Sequence, residues 1–196
     1  FYILKATPRD NRRRIVELAD EHGLLLDPNE CDQARADLTK PRKRLKAEIA
    51  WLPGLAPSRA KEILSTLESS AASLLGIRNL PPIAKTNLLS AGLSRLTDNS
   101  AGTVARWILA MGLAFESIVY EEVYAIVNED RIVAGFQEIK DLSWVESEIQ
   151  ERRYHYRQVM KSSLDKLPPK ELVNAVTVVA DSATNNGTRH APILID

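Results

Sequence analysis

The chain is poor in the residue types that build most chemical sites. Among its 196 residues there is one cysteine, Cys31, and there are three histidines. A lone cysteine forms neither an internal disulfide nor a cysteine-based zinc site, so a reducing compartment is the default. His22, His155 and His190 show no HxxxH or HExxH spacing. An excess of one charge is also missing, because 26 Lys and Arg balance 26 Asp and Glu. That balance argues against a protein that coats nucleic acid or an anionic membrane. Around the most apolar segment, the charge-free run covers only 107–115, too short to span a bilayer. No stretch reads as a signal peptide. GxGxxG, GxxxxGK[ST] and GxSxG are absent, and strands do not alternate with helices, which sets nucleotide-binding α/β folds aside. Repeats and low-complexity tracts are absent as well.

What is present is helical periodicity over an ordinary soluble composition, 44% hydrophobic and 27% charged. Thr7-Pro8-Arg9-Asp10 reads as an N-cap, a proline at the first helical position and an acid at the third. Ile15, Leu18, Ala19 and His22 then share one helix face, with Gly23 as a stop unless the helix continues through Leu24–Leu26. Asp27-Pro28-Asn29-Glu30 repeats the start signal and predicts a short helix. Pro41 opens another over 42–52, ended by Pro53-Gly54. Further helices are predicted over 58–74, 83–96 and 101–128, the last central and buried because it is apolar around most of its circumference. The segment 131–136 reads equally as helix or strand. Ser143-Trp144-Val145-Glu146 predicts a capping box and a helix to about 167. A final helix over 170–183 precedes an extended tail. The expected architecture is all-α, a short helical hairpin module over 1–54 and a helical bundle over 55–184, with a tail over 185–196 able to add to a partner. The first residue is Phe1 and the last four are Ile193-Leu194-Ile195-Asp196, which predicts a piece of a longer protein.

Tyr2-Ile3-Leu4, Thr7-Pro8, Ile15, the Asp27-Pro28 step and Leu38-Thr39-Lys40-Pro41-Arg42-Lys43-Arg44 together resemble a J-domain of the DnaJ co-chaperone family. The resemblance covers 1–52. It implies a helical hairpin whose connecting His-Pro-Asp triplet, with a basic second-helix face, stimulates a DnaK-type ATPase. Here the triplet stands as Asp27-Pro28-Asn29, so both side chains that the activity needs are replaced. Arg12, Arg13 and Arg14 supply the basic face, but Glu17, Asp20 and Glu21 follow on the same helix and would repel an acidic partner. Asp27 reads instead as a helix N-cap.

Other candidates weigh less. Arg42, Lys43 and Arg44, with Lys46, crowd the helix end where the dipole disfavours cations, which points to a role beyond helix stability, such as an acidic protein partner. Arg152, Arg153, Tyr154, His155 and Arg157 form a basic–aromatic cluster that could hold a phosphate or stack a base, but a salt-bridged helix surface, with Glu148 and Glu151 one turn before Arg152 and His155, is the favoured reading. Cys31 lies beside a helix N-terminus, which would lower its pKa. Trp51, Trp107 and Trp144 read as core or interface anchors. The sequence therefore predicts a non-catalytic adaptor in a cytoplasmic bacterial assembly, with protein partners and no catalytic residue, cofactor or metal. The altered triplet argues against a DnaK-type partner. The rivals are a working DnaJ-type co-chaperone, a helical enzyme that would converge at least two of His155, Glu151, Asp181 and Cys31 in a pocket, and a nucleic-acid binder with steep salt dependence.

Overall fold

The computed structural model describes residues 1–98 and 100–196, and the described residues form an all-α fold. The helices are α1 (Arg12–Gly23), α2 (Pro28–Thr39), α3 (Pro41–Ile49), α4 (Pro57–Ser69), α5 (Pro82–Ser94), α6 (Ala101–Glu116), α7 (Tyr120–Val133), α8 (Leu142–Leu164) and α9 (Pro169–Thr184). A 3₁₀ helix, Ala71–Gly76, lies between α4 and α5.

Two compact units divide the chain, and neither is continuous. Unit 1 is Phe1–Ala60 with Val119–Ile149, and unit 2 is Lys61–Ile118 with Gln150–Asp196. This division differs from the consecutive 1–54 and 55–184 that the sequence suggested. The reason is long-range pairing: Asp130 and Arg131 on α7 bond residues near the start of the chain.

Unit 1 is built on the α1–α2 hairpin. Leu4, Ala6, Ile15, Leu18, Ala19, Cys31 and Leu38 form its core. The start of α1 is corrected to Asn11, whose side chain accepts the Arg14 N–H at 2.8 Å. Thr7 does not cap. Its N–H and hydroxyl both donate to the Asp10 carboxylate, at 2.6 and 3.0 Å, and close a turn before the helix. The helix stops at Gly23 and does not continue through the leucines. The segment 131–136 holds no strand: α7 ends at Val133 and Gly135 turns the chain at φ +70°. Asp141 accepts the Ser143 N–H at 2.9 Å, so the start of α8 is capped two residues earlier than the box at Ser143 implied.

Unit 2 centres on α6, with Val104, Trp107, Ile108 and Met111 buried as its periodicity predicted. The expected single helix over 101–128 is two. The Ser117 hydroxyl donates back to the Leu113 carbonyl as α6 ends, and Val119 restarts the chain in an extended conformation. Gly92 on α5 permits close packing, since a Cβ there would lie 2.5 Å from the Trp107 ring. Gly112 on α6 does the same for the C-terminal segment, where a Cβ would meet Ile195 Cδ1 at 2.5 Å. The tail is consequently not extended. Asn185 ends α9 in the left-handed region, and the chain then turns at Pro192 and buries Leu194. Among the described residues, no single helix is long and apolar enough to cross a membrane.

Candidate functional site: the α1–α2 tip and its basic surroundings

The connection between α1 and α2 is four residues, Leu24 to Asp27. The Leu25 and Leu26 N–H groups both donate to the His22 carbonyl, at 3.0 and 2.8 Å, which fixes the turn. Asp27 is extended, and its carboxylate accepts the Asn29 N–H at 2.9 Å while Pro28 occupies the first helical position. The motif thus does what its residue types favour: an aspartate satisfies a helix N-terminus and a proline begins the helix. The helix that follows runs to Thr39, one residue past the Leu38 that the sequence places in it.

The arginines that a partner would use are largely engaged inside unit 1. Arg12 donates to the Thr39 carbonyl at 3.0 Å. Arg13 pairs with Glu17 at 2.9 Å, and Arg14 reaches Glu17 and Glu21 at 3.4 and 3.0 Å. Lys43 pairs with Asp37 at 2.7 Å. Arg42 places its guanidinium 4.2 Å from the centre of the Trp144 ring. Arg44 is corrected outright: it is 0% exposed and presents nothing to a partner.

Arg44 instead belongs to a buried ion triad. Its Nε donates to Glu48 Oε1 at 2.6 Å, and Arg131 Nε donates to Glu48 Oε2 at 2.7 Å. Both lengths are those of charge-assisted hydrogen bonds. The remaining guanidinium nitrogens meet backbone carbonyls. Arg44 serves Pro8 and Leu38, and Arg131 serves Pro41 and Gln137. Phe136 lies under the Arg44 guanidinium at 3.7 Å. Burial, partly offset by the two guanidiniums, holds the Glu48 carboxyl above its usual value. Nearby, buried Asp130 takes Arg9 Nε at 2.7 Å and the Gly54 N–H at 3.0 Å. This explains the cations on the first turn of α3: one of them is a buried strut. The i,i+4 spacing of Arg44 and Glu48 was a signal available in the sequence, whereas Arg131 had none.

Cys31 sits in the core of unit 1. Burial, then the charges of Glu30, Asp27 and Asp32, push its thiol above the usual value, opposite to the lowering expected from its helix position. Both effects favour the neutral thiol over the thiolate.

In unit 2 the arginines of the basic–aromatic cluster are bonded within the unit. Arg153 donates to the Ile193 carbonyl at 3.1 Å, and Arg157 donates to those of Ile193 and Leu194 at 2.9 and 3.3 Å. Arg152 donates to Asn87 at 2.9 Å and lies over the Tyr156 ring. Tyr156 is buried and shares the same Asn87 oxygen. Tyr154 and His155 remain exposed. Partial desolvation, then the Arg152 charge, lowers the His155 pKa below its usual value.

A cavity of about 550 Å³ opens in unit 2 beside Ile108, Met160, Leu164, Val176 and Leu194. None of His155, Glu151, Asp181 and Cys31 lines it. Among the described residues, no three His, Cys, Asp or Glu side chains converge as metal ligands. No protein-family model, curated protein or solved structure gives a significant match to this chain.

Proposed function

We propose that the chain is a non-catalytic protein-interaction adaptor, built on a J-like module that does not stimulate a DnaK-type ATPase. The observation that carries this reading is the state of the Asp27-Pro28-Asn29 step. Where the J-domain resemblance needs an imidazole, the chain holds a carboxylate committed to the Asn29 N–H at 2.9 Å. The helix behind it adds no free basic face, because Arg12, Arg13 and Arg14 are bonded to Thr39, Glu17 and Glu21. A scaffold that keeps its hairpin and loses its reactive positions is suited to holding partners together.

The test is single-turnover ATP hydrolysis by a DnaK-type chaperone with the full chain added. The expected result is hydrolysis at the chaperone's basal rate, unchanged by Asp27→Ala with Asn29→Ala. Robust stimulation that this double substitution abolishes, with helix content retained, overturns the reading in favour of a working co-chaperone.

A further inference from the structure

Unit 1 carries one apolar feature that its fold does not use. Leu24, Leu25 and Leu26 are 87%, 82% and 48% exposed at the α1–α2 tip. Adjacent exposed leucines on this scale are uncommon on a soluble surface and mark interaction sites. The turn that presents them is preset by the two N–H bonds to the His22 carbonyl and by the Asp27 cap, so docking would freeze little backbone.

The charges around the leucines select the partner. Asp20, Asp27 and Glu30 flank the tip, all exposed, and none is in an ion pair among the described residues. The cations within the hairpin are spent elsewhere: Arg14 on Glu17 and Glu21, and Arg35 on Asp32 at 2.9 Å. The tip is therefore an apolar knob inside a negative rim. Such a rim repels an anionic lipid surface. It also repels a second copy of the same tip.

We propose that this tip docks on a protein segment whose apolar stripe is bordered by lysine or arginine, as on a basic amphipathic helix. The leucines fill the stripe, and Asp20, Asp27 and Glu30 meet the cations beside it. The inference deepens the adaptor reading, on which it rests, by naming a surface and its partner's chemistry.

The test uses the full chain and a synthetic amphipathic helical peptide of leucine and lysine, labelled for fluorescence anisotropy. A control peptide has glutamate in place of every lysine. The expected result is saturable binding of the lysine peptide only. Leu25→Ser should weaken it about tenfold or more, Leu25→Met should not, and Asp20→Asn with Glu30→Gln should weaken it and flatten its salt dependence. Because these side chains are exposed, far-UV circular dichroism should be unchanged. Wild-type affinity in a Leu24→Ser, Leu25→Ser variant overturns the proposal, as does equal binding of the glutamate peptide. Leucine-dependent binding to phosphatidylcholine vesicles, or leucine-dependent self-association in sedimentation, without binding of the lysine peptide, also overturns it. These outcomes are independent of chaperone ATPase stimulation, so the docking surface and the adaptor reading can fail separately.

Discussion

Replacing Glu48 with glutamine tests the physical core of unit 1. The carboxylate lies between two guanidiniums, 2.6 Å from Arg44 Nε and 2.7 Å from Arg131 Nε, and the three side chains are at most 2% exposed. Removing the negative member leaves two buried like charges facing each other. Breaking a buried ion pair in this way typically costs about 3–5 kcal/mol. Glutamine retains one carbonyl acceptor, which places Glu48→Gln near the lower end, about 3 kcal/mol. For a chain of this length, that loss lowers Tm by about 6–12 °C. Replacing the whole triad with Met, Leu and Met should not restore stability. The carbonyls of Pro8, Leu38 and Gln137 would lose their guanidinium donors, at about 1–3 kcal/mol for each one left buried. Urea denaturation followed by far-UV circular dichroism, with amide exchange in unit 1 as the local readout, measures both. A change below about 1 kcal/mol for Glu48→Gln would refute the reasoning, because an exposed pair would behave that way.

In unit 2, Gly92→Ala drives a methyl to within 2.5 Å of the Trp107 ring and should cost about 1–3 kcal/mol by overpacking, read by thermal melting. Gly112→Ala meets the Ile195 side chain, at 2.5 Å from Cδ1 and 2.9 Å from Cγ1, which a terminal segment can yield by shifting, so it should cost less and appear mainly as faster amide exchange at 193–196. His155 should titrate below 6.5 in an NMR pH series. Its folded pKa is depressed, so the unfolded chain binds the proton more readily, and its contribution to stability is lost as pH falls from above 6.5 through the folded value. A midpoint above 6.5 contradicts the partial desolvation of its ring and the effect of the Arg152 charge.

Local chemistry was legible and distant pairing was not. Asp27 at the cap and Pro28 at the first helical position were readable because capping involves residues two or three apart. The buried face of α6 followed from the spacing of Val104, Trp107, Ile108 and Met111. The cap at Thr7 failed because Asp10, three residues on, took the Thr7 N–H for a tight turn. The i,i+4 spacing of Arg44 and Glu48 is readable in the sequence, but the burial of the pair is not, because Arg131, which completes the triad across Glu48, lies far along the chain. The cluster around Arg153 and Arg157 reads in the sequence as a salt-bridged helix surface, and nothing local shows that the chain returns at 193–194 to offer carbonyls. The leucines at 24–26 stood plainly in the sequence, but only the end of α1 at Gly23 places them outside a helix face.

Amide hydrogen exchange at Asn29 reads the Asp27 cap directly. An N-cap bond worth about 1 kcal/mol should slow Asn29 exchange about fivefold relative to Asp27→Ala, with Asp27→Asn close to wild type. Equal Asn29 exchange rates in the wild type and Asp27→Ala would contradict the capping assignment.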